Sequence, residues 1–313
     1  MGGSGGTFRY DDVNTNDILK KIENSESETD KLNYDLTVNN LLQELLGDFN
    51  NRDTDAIQQH ISTILKALSN EVDGEIATRF GGSISRHTHV DGLSDVDALI
   101  ILNKSELANE LPKTVLNYFY ERLQERFPNT DIEQGDTAVT IHFADGDIQL
   151  VPAIKTKTGI KIPDGKQWSN NINPKIFAKA LSDLNAKFAG KLIPSIKLIK
   201  GVISGFSENC QLRGYHVESL ALQIFGDKKV DPESFYKVKN LVTAFFGAAP
   251  SLVRSPSRDI TGQSNYVDEY LGKKDSIKRL MAADTLDRTF RQIELSDAGK
   301  IKGAWEDFFN HLD

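Results

Sequence analysis

The sequence predicts an α+β fold, a strand-rich part with flanking helices followed by an all-helical part. Three observations carry this. Apolar residues recur at helical spacing up to Val72, then short alternating or continuous apolar runs bounded by glycine, proline and aspartate fill residues 76–154. From Pro174 onward the helical period returns and is broken mainly between Ser251 and Gly272. The boundary is therefore expected at residue 173, with residues 7–173 as the strand-bearing domain including the N-terminal helices, 174–313 as the C-terminal helical domain, and any functional site in the cleft between them.

Taken in order, residues 7–50 are polar with a helical stripe of Leu32, Leu36, Val38, Leu41, Leu42, Leu45 and Leu46. Ile57, Ile61, Ile64, Leu65, Leu68 and Val72 predict an amphipathic helix over 55–72, which props the strand 76–80 from behind. Gly81-Gly82-Ser83 then bends the chain, and Ser83 can cap a helix starting at 84–87. Asp95-Val96-Asp97 enters the apolar strand Ala98 to Leu102, followed by a turn at 103–105 and a helix over 106–127 that Pro128-Asn129 closes. Strands are predicted at 130–134, 138–143 and 147–154, the last two joined by a tight Asp145-Gly146 turn. A loop over 155–173 leads to helices at 174–190, 192–206, 215–225, 232–246 and 273–295, and a short one at 300–312.

Residues two apart on a strand face the same way, so Asp95 and Asp97 project together while Val96 points inward. Two carboxylates on one face are costly unless a cation neutralises them. Asp147 opens the strand DIQLVPAI, where alternation groups Asp147, Gln149 and Val151 on one face and Ile148, Leu150 and Pro152 on the other. Taken alone, an acid at a strand mouth only wets its end; after a hairpin beside the Asp97 strand it becomes a third metal ligand. Three such carboxylates suit two magnesium ions, or manganese in their place, shared with a nucleotide triphosphate. The Gly82-Ser83 turn offers backbone N–H groups and a hydroxyl to phosphate. Lys197 and Lys200 are i, i+3 neighbours on a helix begun near Pro194 and can converge on one polyphosphate or flank a core stripe. Tyr215 can stack on a base or pack in the core, His216 reads as a helix-surface or interior histidine, and Arg86 touches phosphate or base, or solvent. His87 and His89 lack a third ligand at zinc spacing.

Composition narrows the partners. A net charge of −8 argues against general nucleic-acid coating, even though residues 155–200 hold ten lysines against Asp164 and Asp183. One cysteine, Cys210, excludes an intramolecular disulfide and fits a cytoplasmic protein, and no run approaches membrane-spanning length. MGGSGG at the N-terminus lacks the basic and apolar parts of a signal peptide.

The motif FGGS…SDVDALIIL with DIQLVPA resembles the polymerase-beta-like nucleotidyltransferase superfamily, and within it the oligoadenylate synthetases and the bacterial cyclic-oligonucleotide synthases related to cyclic GMP-AMP synthase. PSIKLIKGV resembles the helix whose basic residues bind donor phosphates, here Lys197 and Lys200. RGYHVESLALQIF resembles the next helix, with Gly214 where relatives often carry a phosphate-contacting serine before Tyr215. The loop from Thr261 to Tyr266, with Asn265, looks like the segment that closes over the donor base. The resemblance implies a magnesium-dependent synthase that makes a cyclic di- or trinucleotide from ATP or other nucleoside triphosphates and releases pyrophosphate, in anti-phage signalling. Linear 2′–5′ oligoadenylate synthesis, or transfer to an RNA end or a small acceptor, is the alternative. Duplex nucleic acid as activator fits the acidic balance poorly, which favours a protein partner or a small molecule.

Overall fold

A computed structural model describes residues 28–50, 54–69, 74–90, 96–235, 237–261 and 264–312. Residues 7–27, and with them the start of the predicted N-terminal helix, lie outside the described residues.

Helix α1 (Glu28–Asp48) buries Tyr34, Val38, Leu42 and Leu46, spaced four apart on one face. Leu32 and Leu36, expected in that stripe, are instead more than half exposed. Helix α2 (Thr54–Ser69) buries Ile61, Ile64 and Leu68 against the sheet, as its spacing predicts.

The main sheet has the order β1-β2-β5-β4-β3, built from β1 (Gly74–Phe80), β2 (Val96–Ser105), β3 (Asp131–Gln134), β4 (Val139–Phe143) and β5 (Gly146–Lys155). β2 pairs antiparallel with β1 and parallel with β5, which buries it on both sides and accounts for its nearly continuous apolar run. Pro152 fits inside β5 because β4 pairs with that strand only as far as Leu150, so the missing N–H falls beyond the partner's end. Short strands β6 (Ile160–Lys161), β7 (Pro163–Asp164) and β8 (Gln167–Trp168) occupy the predicted 155–173 loop; β7 and β8 form a hairpin through Gly165 at φ +59°.

Two predicted helices are interrupted. β2 runs through Ser105, displacing the predicted turn at 103–105, and only a 3₁₀ turn covers Glu106–Asn109 before α4 (Pro112–Arg126). Pro112 sits at the helix start and forces Leu111 into an extended conformation, which prevents one continuous helix. Likewise a 3₁₀ turn at Pro232–Ser234, with Phe235 non-helical, separates the second element from the preceding chain. The helical part consists of α5 (Pro174–Lys187), α6 (Leu192–Ser204), α7 (Gly214–Phe225), α8 (Val238–Leu252), α9 (Ile277–Gly299) and α10 (Lys302–Glu306).

Two main apolar clusters result. One joins α2 and α4 to the sheet through residues such as Ile64, Leu68, Ile100, Phe119 and Leu150. The other joins the helices α5 to α10, and α1 belongs to it: Tyr34, Val38, Leu42, Leu46 and Phe49 pack with Leu198, Phe245, Ile293 and Trp305. The Tyr34 hydroxyl donates to Ser296 O at 3.1 Å and to Asp297 Oδ1 at 3.0 Å. Asp35 pairs with Lys237 at 2.6 Å and Lys239 at 3.0 Å. These pairs overcome the cost of burial and hold the Asp35 carboxyl below its ordinary pKa.

Candidate active site

The bend after β1 is built around Asp97. Gly81 N donates to Asp97 O at 2.7 Å, and the helical turn α3 (Gly82–Ser85) begins there. Gly82 has φ +45°, and a Cβ on it would lie 1.4 Å from Asp97 Oδ2. The carboxylate thus rests against the bare Cα, a placement that any larger residue would prevent. Ser83 is buried, and its carbonyl accepts from Arg86 N at 3.3 Å and Thr88 N at 3.0 Å, closing the turn.

Asp97 alternates with buried Val96 and Ala98, and Asp147 alternates with buried Ile148. In the parallel β2/β5 register Asp97 opposes Gln149, which shares a face with Asp147 two residues earlier. The two carboxylates therefore lie on one face, at the mouths of adjacent strands. Asp95 lies outside the described residues. Asp147 accepts from His142 Nδ1 at 2.9 Å across the β4/β5 register, and that hydrogen bond raises the His142 pKa. Helix α2 reaches the preceding turn, where His60 stacks on Phe143 with ring centroids 3.8 Å apart and meets Asp145 at 3.1 Å.

Both lysines of α6 are buried and bonded. Lys197 Nζ donates to Asn50 Oδ1, and burial, with Lys200 nearby, lowers its pKa. Lys200 Nζ donates to Glu218 Oε1 at 2.7 Å and Thr88 O at 2.9 Å; burial lowers its pKa although Glu218 and Asp97 pull it up. Arg86 Nε meets Glu218 Oε2 at 2.5 Å. A Cβ on Gly214 would touch Lys200 Cε and Nζ at 3.4 Å, so the position relatives often fill with serine adjoins this ammonium.

Tyr215 is half-buried. Its ring packs on Phe177 at 4.6 Å and its hydroxyl donates to Asp259 Oδ1 at 3.0 Å; burial, with Asp259, raises its pKa. Asp259 accepts from Thr261 N at 2.8 Å and Ser264 N at 3.2 Å, shaping the loop that carries exposed Asn265. His216 is fully buried, with Nδ1 3.0 Å from the Tyr270 hydroxyl and Nε2 3.3 Å from Asp268 Oδ2. Arg279, also fully buried, donates to Asp268 Oδ2 at 2.7 Å and to the carbonyls of Val253, Ser255, Asp268 and Gly272.

Sequence reading missed Glu218, Asp259, Asp268 and Arg279. Glu218 carried a signal, an acid inside the apolar run from Val217 to Phe225. Among the described residues no three His, Cys, Asp or Glu side chains gather so as to hold a metal ion, His87 and His89 included. The donors present at the strand mouths, Asp97 and Asp147, are hard oxygens that suit magnesium better than zinc.

Residues 36–185 match the family model described as "Second Messenger Oligonucleotide or Dinucleotide Synthetase domain". That match takes in the whole sheet and stops within α5, so the likeness to a second-messenger synthetase domain covers just under half of the chain. No curated protein matches it. Among solved structures it is similar to the STING-associated c-di-GMP synthase CdnE of Capnocytophaga granulosa, at 14% identity over 96% of this chain and 99% of that one, with TM-score 0.55. The cyclic AMP-GMP synthase DncV of Vibrio cholerae, a prokaryotic cGAS homologue, is 15% identical over 90% and 91%, with TM-score 0.59. CdnC of Escherichia coli, solved in complex with a HORMA protein, is 14% identical over 92% and 97%, with TM-score 0.54. At these identities the likeness concerns the fold. That shared fold extends over both the sheet and the helical part described above.

Proposed function

We propose that this nucleotidyltransferase synthesises a cyclic di- or trinucleotide from ATP, other nucleoside triphosphates or both, releasing pyrophosphate, as a signal in bacterial anti-phage defence. The observation that carries the reading is the shared face of Asp97 and Asp147, with the Gly82 bend packed directly on the Asp97 carboxylate. The Capnocytophaga and Vibrio relatives, named for c-di-GMP and cyclic AMP-GMP synthesis, support the product class.

In this reading Asp95, Asp97 and Asp147 would hold two magnesium ions, or manganese. Bound metal would acidify the attacking hydroxyl and offset the charge of the leaving pyrophosphate. The chain's own residues do the rest. Gly82 and Ser83 present the turn to the donor phosphates. Asp147 receives the proton of the attacking 2′- or 3′-hydroxyl. Lys197 and Lys200 contribute positive charge to the donor phosphates from α6, and Tyr215 with Asn265 borders the donor base. A second round on the held linear intermediate, with its terminal hydroxyl attacking its own 5′ end, closes the ring.

The catalytic unit is proposed to span residues 7–173 and the helical domain 174–313, although α1 packs with the helical cluster. A protein partner is the proposed activator, a reading that the acidic balance and the HORMA complex of the Escherichia coli relative support. No helix of the described residues is long and apolar enough to cross a membrane, and a cytoplasmic site of action is proposed.

The test is incubation with ATP, GTP, CTP and UTP plus magnesium, without any acceptor, followed by mass spectrometry before and after a nuclease selective for 3′–5′ linkages. A cyclic product is expected, from the chain alone or with its protein activator. Transfer that requires an added RNA end or small acceptor would overturn the reading.

A further inference from the structure

Between the Gly82-Ser83 bend and the helical core lies a charge cluster centred on Glu218, a carboxylate for which the proposed chemistry has no role. Glu218, fully buried on α7, has both carboxylate oxygens engaged. Oε1 accepts from Thr88 Oγ1 at 2.5 Å and Lys200 Nζ at 2.7 Å, and Oε2 from Arg86 Nε at 2.5 Å. A buried carboxylate is tolerated when cations and donors surround it, and here they come from two separate elements. Thr88 and Arg86 belong to the segment that leaves the Gly82-Ser83 turn, and their amides bond back to Ser83 O. Lys200 belongs to α6.

The contacts continue toward α5 and the Asp259 loop. The Arg86 guanidinium lies 5.7 Å from the Phe177 ring centroid and 5.4 Å from that of Tyr215. Tyr215 in turn holds Asp259, whose carboxylate shapes the loop around Thr261 and Ser264. Burial alone would raise the Glu218 pKa, but Lys200 and Arg86 hold it below the ordinary carboxylate value.

We infer that Glu218 is a positioning residue for the transfer. Through Thr88 and Arg86 it fixes the Gly82-Ser83 turn against α6, α7 and the Asp259 loop, and it sets the position of the Lys200 ammonium. The inference rests on the nucleotidyltransferase reading, because it assigns the turn to the donor phosphates. Small displacements of reacting groups cost about 10²-fold in rate, so the turn must be held as firmly as the strands that carry the aspartates.

The experiment compares wild type, Glu218→Gln, Glu218→Gln/Lys200→Met and Thr88→Val in the full chain. The readouts are kcat, KM, thermal midpoint and hydrogen exchange of the amides at 85–88. In Glu218→Gln those amides should exchange faster and kcat should fall about 10²-fold, with KM changing much less. The double variant removes one charge of each sign, so its thermal midpoint should recover while the amides at 85–88 still exchange faster than in wild type, a readout that loss of the Lys200 charge from the donor phosphates does not move. Thr88→Val, which loses only the hydroxyl link, should keep its thermal midpoint and lose about tenfold in kcat. Unchanged exchange and kcat in Thr88→Val, or wild-type exchange at 85–88 in the double variant, would overturn the inference, and these two decide the matter if Glu218→Gln fails to fold. If wild type bound no triphosphate and made no product with or without its activator, the nucleotidyltransferase reading would fall instead; the exchange data would still report whether Glu218 holds the turn.

Discussion

The sheet and the helical part treat charge in opposite ways. At the mouths of β2 and β5, Asp97 and Asp147 stand half-exposed on one face, where an incoming cation and substrate can reach them. In the helical part Glu218, Asp268 and Arg279 are fully buried and answered by partners already present. Partial exposure leaves room for chemistry, whereas burial with full pairing makes a clamp. A carboxylate in this molecule is therefore read by where it sits and who answers it.

The comparison predicts that the two regions respond differently to neutral substitution. Asp97→Asn and Asp147→Asn should each lower product formation on the order of 10³-fold with the thermal midpoint nearly unchanged. Steady-state assays beside calorimetry check this; a large fall in stability with activity retained would erase the contrast. Arg279→Met should do the reverse. It strands buried Asp268 and several carbonyls, costing about 3–5 kcal/mol of stability, while kcat per folded molecule falls much less. Denaturant unfolding measures the loss.

A titration sharpens the same contrast. Burial, with Arg279 nearby, pushes the His216 pKa down to about 4 despite the attraction of Asp268. The folded protein thus holds His216 neutral, and protonation favours the unfolded chain. Its contribution is fully present above the unfolded value of about 6.5 and is lost as pH falls toward 4, up to about 3 kcal/mol. Urea midpoints between pH 7 and pH 4.5 should fall for wild type and fall less steeply for His216→Gln. The smallest expected effect is at Gly214. The space beside Lys200 admits a Cβ at ordinary contact distance, so Gly214→Ser should fold within about 0.5 kcal/mol of wild type and change KM for the donor more than kcat.

How much of this was legible in the sequence follows the same divide. The strands, their facing and the association of the Gly82 bend with Asp97 follow from alternation and glycine chemistry, which are local. The break at Leu111 escapes the pattern because helical periodicity continues across Pro112, which forces the residue before it to be extended; at Pro232 an Asp231-capped start reads as a helix N-terminus, and periodicity does not tell a single 3₁₀ turn ending at Phe235 from an α-helix. For Lys197 and Lys200 the helical spacing was readable, but their burial against Asn50, Thr88 and Glu218 was not, since those partners lie 18 to 147 residues away. Leu32 and Leu36 were placed in the α1 stripe because leucine alone does not say which of two helix faces finds a partner. Glu218 shows the remaining limit: an acid in an apolar helix signals a buried counterion, and sequence does not say whose.

Helix α1 is made before every strand of the sheet, yet Tyr34 is anchored to Ser296 and Asp297, more than 260 residues later. A ribosome must therefore release nearly the entire polypeptide before this helix finds its berth, while the strands bearing Asp97 and Asp147 can pair much sooner. During synthesis these two carboxylates would be assembled well ahead of the helical bundle, and loss of the residues around Trp305 would leave the amino-terminal helix with an uncovered apolar flank.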